Sequence, residues 1–156
     1  MSETTLKSLD SKQYIVVNVG NEQFGIDIQY VDNIVRMQRI TRVPKAQPYF
    51  NGVINIRGEI IPVMSLRVKF DLEADVFTNK TRILIIKLEP QSAVGIIVDE
   101  VKNVITLNDD DIDINTSVGN DERSAFITGV GKKEDGLVTL LNLQGVIIDK
   151  EYAEKQ

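Results

Sequence analysis

The sequence contains two copies of one pattern of short apolar segments. A shift of 70 residues places Gly25-Ile26-Asp27-Ile28 on Gly95-Ile96-Ile97-Val98. A shift of 77 residues matches Gly52-Val53 with Gly129-Val130, and these segments follow the first pair in the same order. Because matched segments in one order indicate a repeated structural unit, the chain is predicted to contain one small fold twice.

Short runs rich in valine and isoleucine predict four β-hairpins separated by turn residues. The predicted strand pairs are 14–19 with 23–28, 53–56 with 60–64, 82–88 with 94–98, and 127–131 with 137–141. In the shift of 70 residues, Tyr14-Ile15-Val16 falls on Leu84-Ile85-Ile86. About five short strands in each copy predict an all-β barrel or sandwich rather than a βαβ fold.

Helical turns are predicted near 28–31, at 65–70 with Ser65 as the N-cap, and at 143–150 behind Asn142. Because closure of a small sheet removes its open edges, we expect two tandem five-stranded SH3-like barrels packed side by side. The predicted bounds are about 13–75 and 80–142 within a single domain at 13–149, flanked by mobile tails at 1–12 and 151–156. Side chains fill the interior of so small a barrel, which leaves little room for a substrate.

The residue types that the chain lacks restrict its chemistry. It contains no cysteine, no histidine and no tryptophan. These absences exclude cysteine nucleophiles, Ser-His-Asp triads and the usual zinc ligands. Asp109, Asp111 and Asp113 alternate like calcium ligands, but Ile114 occupies the sharp-turn position, so the pattern indicates an acidic loop. We therefore expect no enzyme activity, no metal ion and no cofactor.

Basic side chains concentrate in one segment, although the net charge of the chain is -5. Between Arg36 and Lys69 there are seven lysines and arginines against a single acidic residue, Glu59. Such segregation offers a partner an electrostatic contact surface, and it also occurs on solvated faces. Arg36, Arg39 and Arg42 recur every third residue, which keeps open the alternative of a small barrel that binds single-stranded nucleic acid. Few aromatic stacking residues lie near them, and this argues against nucleic acid as a partner.

Two pairs of apolar residues mark candidate contact surfaces. Ile28 and Val31 are spaced i, i+3, as are their repeat mates Val98 and Val101, so each pair shares one side of a helical turn. Such residues either plug the open end of a barrel or protrude from it. If they protrude, they form apolar patches of the kind that mark protein–protein contacts.

Several motifs resemble the family of the bacterial chemotaxis coupling protein CheW. The most specific is the segment 52–63, Gly-Val-Ile-Asn-Ile-Arg-Gly-Glu-Ile-Ile-Pro-Val. The resemblance extends over about 13–148 and includes Phe24-Gly25-Ile26-Asp27-Ile28, Thr41-Arg42-Val43-Pro44, Leu66-Arg67-Val68-Lys69-Phe70 and Val94-Gly95-Ile96-Ile97-Val98-Asp99. Two positions depart from the family pattern: Asn33 stands where glutamate is common, and Ser65 stands where aspartate or asparagine is usual.

The resemblance implies two packed SH3-like barrels and a non-enzymatic adaptor. Such an adaptor joins the regulatory domain of a chemotaxis histidine kinase to the cytoplasmic tips of chemoreceptors. The residues implied to bind the kinase are Ile28, Val31 and Val118, and those implied to bind the receptor, in or near a groove between the barrels, are Gly52, Arg57, Val101 and Val104. A simple turn at Gly52 and a core role for the two receptor-side valines remain open.

The N-terminus lacks the basic and apolar parts of a secretory signal, and the longest uncharged stretch, 136–148, is shorter than the roughly 20 residues of a membrane span. We therefore expect a cytoplasmic protein without direct membrane insertion. A CheW-like adaptor of another two-component pathway remains an alternative within the same fold.

Overall fold

The computed structural model describes residues 11–44, 50–114, 125–133 and 136–147. The strands in these ranges are β1 (Lys12–Val19), β2 (Glu22–Asp27), β3 (Val31–Arg36), β4 (Phe50–Ile56), β5 (Glu59–Ser65), β6 (Arg82–Glu89), β7 (Ser92–Val98), β8 (Glu100–Leu107), β9 (Ile112–Asp113), β10 (Ile127–Lys133) and β11 (Gly136–Leu141). The four predicted hairpins are confirmed. Three further strands, β3, β8 and β9, were not predicted. Polar residues interrupt the apolar pattern of β3 and β8, and β9 has only two residues. Lys12 is the first residue of β1, so it does not belong to the tail predicted at 1–12.

Short helical segments follow several of the strands. They are a 3-10 helix at Ile28–Tyr30, α1 (Leu66–Lys69), a 3-10 helix at Asp109–Asp111 and α2 (Leu143–Ile147). The predicted N-cap of α1 is confirmed, since the Ser65 hydroxyl accepts a hydrogen bond of 3.2 Å from the backbone N–H of Val68. The Asn142 side chain likewise accepts from the N–H of Gly145 at 3.3 Å. The end of the predicted last helix, 148–150, lies outside the described residues.

The strands form two sheets, and each sheet draws on both sequence copies. One sheet has the order β8-β1-β2-β11-β10-β9, and the other has the order β3-β6-β7-β5-β4. The first hairpin of each copy pairs with the last strand of the other copy. The two parallel pairings align Phe24 with Thr139 and Val63 with Gly95. The predicted all-β class with two small barrels is confirmed.

The two compact units therefore do not coincide with the two sequence copies. We call one the central unit, which consists of Val17–Asn21 and Tyr30–Val101. The other, the terminal unit, contains Glu22–Gln29 together with the described residues before Val17 and after Val101. The predicted division at 13–75 and 80–142 assumed that each copy closes its own barrel. It fails because the two hairpins are exchanged between the copies.

Gly25 and Gly95 occupy equivalent settings, which confirms the duplication. A Cβ atom added at Gly25 would lie 2.7 Å from a methyl carbon of Leu140, on the parallel partner strand β11. One added at Gly95 would lie 3.2 Å from a methyl carbon of Val63, on the parallel partner strand β5. In both places the missing side chain lets an aliphatic residue of the other copy pack directly on the backbone.

Each unit has its own apolar core cluster. In the central unit it consists of Ile54, Ile61, Val63, Ile83, Ile85, Ala93 and Ile97, and in the terminal unit of Tyr14, Val16, Leu107, Val138 and Leu140. Burial of each large aliphatic side chain contributes roughly 1.5–3 kcal/mol.

The predicted match of β1 with β6 is wrong by one residue. Tyr14 and Val16 occupy the cluster positions that Ile83 and Ile85 occupy in the other unit, rather than matching Leu84 and Ile86. The physical reason is a β-bulge between Lys87 and Glu89, which adds one residue to β6. A shift of one residue exchanges the two faces of a strand, so the bulge decides which side chains point into each core.

Gly52 lets a neighbouring backbone segment lie directly on β4. Thr41 and Val53 exchange two backbone hydrogen bonds of 2.8 Å. A Cβ atom at Gly52 would lie 2.1 Å from the Thr41 carbonyl oxygen, and the φ angle of Gly52 is +142°. Its repeat mate Gly129 faces the Asp113 carbonyl in the same way, at 2.9 Å from a Cβ atom.

A polar network surrounds Asp99, just beyond the last residue of β7. We call Asn18, Gly20, Arg67, Asp99 and Glu100 the Asp99 network. Arg67 donates to the two Asp99 carboxylate oxygens at 2.9 and 2.6 Å, and the N–H of Gly20 donates to one of them at 2.9 Å. The N–H of Asp99 donates to the Asn18 carbonyl at 3.0 Å, which ties the β1–β2 turn to the end of β7.

Burial alone would raise the pKa of Asp99. The hydrogen bonds from Arg67 and Gly20, together with the positive charge of Arg67, outweigh burial and hold the pKa of Asp99 below its ordinary value. A carboxyl group with a lowered folded-state pKa stabilises the fold above its unfolded pKa, about 3.9, and this contribution disappears as the pH falls through the folded value.

We expect Asp99→Asn to lower the free energy of unfolding at pH 7 by about 1–2 kcal/mol, because it removes charged hydrogen bonds from a partly exposed site. The difference from the unchanged protein should shrink below about pH 4. Urea unfolding at a series of pH values measures it. The control is Asp113→Asn, which breaks the exposed ion pair of Asp113 with Lys132 and should change little. A difference that is constant down to pH 2.5 would refute the role of the charge.

Gly52→Ala should destabilise the fold by about 3 kcal/mol, because its methyl group would collide with the Thr41 carbonyl and its φ angle disfavours alanine. Gly58→Ala is the matched control, since Gly58 also has a positive φ angle, +85°, but no described atom lies within 4 Å of a Cβ there. We expect the control to lose about 1 kcal/mol. Urea unfolding compares the two, and equal losses would contradict the importance of the close approach.

Candidate functional site

The two apolar residues implied to bind a kinase lie on neighbouring local elements. Ile28 begins the 3-10 helix Ile28–Tyr30 in the terminal unit, and Val31 begins β3 in the central unit. Both side chains are partly exposed. The predicted helical turn is confirmed, and Asp27 accepts a hydrogen bond of 3.1 Å from the N–H of Gln29 within it. Val118, the third residue of this set, lies outside the described residues.

The predicted second patch does not repeat the first. Val98 is fully buried at the end of β7, and Val101 is partly exposed in β8. No helical turn separates them, because β8 begins at Glu100, one residue after the Asp99 network closes the end of β7. Val98 and Val101 therefore both lie in strands. The expectation that they share one side of a helical turn is wrong.

Ile34 extends the apolar surface of β3 and was not among the predicted site residues. It is 38% exposed, and β3 is an edge strand of the five-stranded sheet. Asn33 is exposed and its side chain accepts a hydrogen bond of 2.9 Å from the N–H of Ile34. The sequence shows Ile34 next to the polar residues Asp32 and Asn33. This pattern indicates an exposed apolar side chain only when the segment is known to be a strand.

Arg57 lies at the tip of the β4–β5 hairpin. The turn consists of Arg57 and Gly58, with φ angles of 53° and 85°, and Glu59 already belongs to β5. Positive φ at both central residues is typical of a type I′ turn, whose twist matches that of the flanking strands. Asn55 supports the turn by accepting a hydrogen bond of 3.0 Å from the N–H of Gly58. The Arg57 guanidinium is consequently presented to solvent.

The other residues implied to bind a receptor differ in exposure. Gly52 is buried beneath Thr41, so its glycine character serves the chain's own backbone packing. Val104 is 49% exposed, and Val101 is partly exposed. Of the pair, Val104 is clearly not a core residue.

The basic segment alternates inward and outward side chains. Val35, Met37 and Ile40 pack against the core cluster of the central unit. The three arginines between and after them, Arg36, Arg39 and Arg42, are exposed. Arg67 contributes no free charge to this surface, because Asp99 neutralises it.

The central unit also contains a cleft of about 330 Å³. The described residues that line it are Ile40, Arg42, Phe50, Asn51, Val68, Ala74, Asp75 and Phe77. Asp75 is the single carboxylate among them. Ser65 donates to one Asp75 oxygen, and burial raises the pKa of Asp75. A lone carboxyl group that burial favours in its neutral form does not provide the paired groups of acid–base catalysis.

The acidic loop residues have internal partners. Asp111 accepts a hydrogen bond of 2.9 Å from the N–H of Asn108, and Asp113 lies 2.6 Å from the Lys132 ammonium. Within the described part of the chain, no three acidic residues cluster closely enough to hold a metal ion. None of the helices in the described residues has the length and apolar character of a membrane span.

Residues 13–151 match the CheW-like domain family. A chemotaxis protein CheW from Bacillus subtilis (strain 168) is 34% identical over 143 residues, which cover 92% of this chain and 90% of the relative. A chemotaxis protein CheW from Helicobacter pylori is also 34% identical, over 86% of this chain and 81% of the relative. The crystal structure of the scaffolding protein TtCheW from Thermoanaerobacter tengcongensis superposes with a TM-score of 0.80 at 30% identity, covering 89% of this chain and 94% of that one. Because these matches span strands of both units, this chain belongs to the CheW-like domain family.

Proposed function

We propose that this protein is a chemotaxis adaptor that couples chemoreceptors to a histidine kinase. The observation that carries the proposal is the family match over 13–151, supported by the fold shared with a protein described as a scaffold. The adaptor catalyses no reaction and acts in the cytoplasm. It influences the kinase by holding kinase and receptor in a fixed geometry.

The kinase surface consists of Ile28 and Val31, and Val118 belongs to the same function through the family resemblance. Partial exposure of two large aliphatic side chains supports this assignment, because exposed apolar patches on a protein surface commonly mark protein contacts. Ile34 extends the surface along β3. Its binding partner is the regulatory domain of the kinase.

The receptor surface lies on the central unit and consists of Arg57 and Val101, and Val104 in the terminal unit belongs to the same function through the family resemblance. Arg57 offers up to five hydrogen-bond donors from a rigid hairpin tip, and Val104 adds exposed apolar area. These groups suit the mixed polar and apolar face of a receptor helix. Gly52 contributes indirectly, since it fixes the backbone of β4 that leads to Arg57.

The adaptor function as a whole is tested by complementation. A bacterium that lacks its own coupling protein should regain receptor control of kinase activity when it produces this chain. Receptor-dependent phosphorylation in a reconstituted mixture of receptor, kinase and adaptor gives the same readout in vitro. If kinase output stays independent of attractant in both assays, the coupling function is wrong.

Val31→Asp should weaken binding of the kinase regulatory domain at least tenfold, because a buried carboxylate in an apolar interface lacks a partner. Ile28→Asp should do the same. The matched controls are Val43→Asp in the central unit and Leu137→Asp in the terminal unit, which also place a charge at exposed apolar positions. Calorimetric titration measures affinity, and circular dichroism checks the fold. Unchanged affinity of both folded variants would refute this surface.

Arg57→Ala should reduce binding to a receptor-tip fragment by about tenfold, the size expected for the loss of charged hydrogen bonds in an interface. Arg39→Ala is the matched control, because Arg39 is also an exposed arginine of the central unit. Both variants should keep their kinase affinity. Pull-down and titration with the receptor fragment measure the effect, and equal losses for the two arginines would show a diffuse charge effect instead of a specific contact.

A further inference from the structure

The Asp99 network joins three distant parts of the chain within the central unit. Asn18 and Gly20 belong to the β1–β2 turn, Arg67 belongs to α1, and Asp99 stands between β7 and β8. The Asp99 carboxylate accepts three hydrogen bonds, two from Arg67 and one from Gly20. Fork-shaped pairing of arginine with a carboxylate fixes direction as well as distance. The network therefore holds the Asp99 side chain in one orientation.

The network also fixes the two residues that precede Val101. The N–H of Asp99 donates to the Asn18 carbonyl at 3.0 Å. The Asn18 side chain in turn donates to the Glu100 carboxylate at 3.4 Å. Val101 is the next residue, and its side chain is only partly buried. Its position therefore depends on the preceding backbone and on the pairing of β8 with β1, as well as on side-chain packing.

The barrel does not need these contacts for its own pairing. The ladder of β7 with β5 ends at Ile97, and its ladder with β6 ends at Val98. Both residues are buried in the apolar interior. The network starts one residue later, so its loss leaves the register of β5, β6 and β7 intact and removes side-chain restraints from the residues that lead into β8.

We propose that Arg67 and Asp99 are positioning residues for receptor binding, which hold Val101 at the start of β8 in the geometry that a receptor helix requires. This inference rests on the proposed receptor surface. It assigns a role to two charged residues that lie outside that surface and touch neither partner. The kinase surface at Ile28 and Val31 forms no hydrogen bond with the network among the described residues, so kinase binding should not depend on it.

Asp99→Asn tests the proposal in the full chain. We expect about tenfold weaker binding of a receptor-tip fragment and less than a twofold change in binding of the kinase regulatory domain. The matched control is Asp113→Asn, which breaks an ion pair with Lys132 whose two side chains are both 61% exposed. It should leave both affinities unchanged. The double variant Arg67→Asp, Asp99→Arg exchanges the two charges. It should recover part of the receptor affinity that Asp99→Asn loses.

A local probe separates positioning from general destabilisation. Because the chain has no cysteine, Val101→Cys provides a single site for a spin label. The label should become more mobile when Asp99→Asn is added, while a label at Val43→Cys, elsewhere in the central unit, should not change. If Asp99→Asn does not fold at the assay temperature, Asn18→Ala replaces it, since it removes only the contact with Glu100.

Three results would overturn the proposal: unchanged receptor affinity of the folded network variant, equal losses of receptor and kinase affinity, or unchanged mobility at position 101. A wrong assignment of the receptor surface would give a different result. In that case Val101→Asp and Val104→Asp would bind the receptor fragment as well as the unchanged protein does.

Discussion

The exchange of hairpins between the two sequence copies is the constraint on which the rest of the structure depends. Each barrel is completed by one parallel pairing, β2 with β11 in the terminal unit and β7 with β5 in the central unit, and each pairing joins strands of different copies. Parallel strands cannot be joined by a tight turn, so these pairs form only when distant parts of the chain meet. Neither copy alone can complete a barrel. Folding of either unit therefore requires segments from both copies.

Small, filled barrels confine function to the surface. Buried isoleucine, valine and leucine side chains occupy the core clusters of both units, and the surfaces assigned to partners lie on turns and edge strands. Rigid pairing beneath these surfaces fixes their shape. The type I′ turn presents Arg57, and the Asp99 network fixes the strand start at Val101. Under the proposed assignment, binding uses preorganised geometry, which lowers the entropic cost of association.

The residues of the candidate site were only partly predictable. The exposed hairpin tip at Arg57 follows from a local pattern, because an Arg-Gly pair between two apolar runs indicates a turn. The burial of Gly52 beneath Thr41 could not be predicted, since it depends on the pairing of Thr41 with Val53, which lie on separate segments of the chain. Ile34 was missed for a related reason: its exposure is a property of the sheet edge, which no short window of sequence contains.

Local patterns in the sequence determined the hairpins, the N-cap at Ser65 and the duplication, because turn residues and alternating apolar residues act over a few positions. Tertiary structure alone decided which hairpin completes which barrel. The two copies carry similar patterns, so pairing within a copy and pairing between copies look alike in sequence, and only packing of the whole chain distinguishes them. The meeting of Arg67 with Asp99 belongs to the same category. The energy of this contact exists only once the two distant segments have come together.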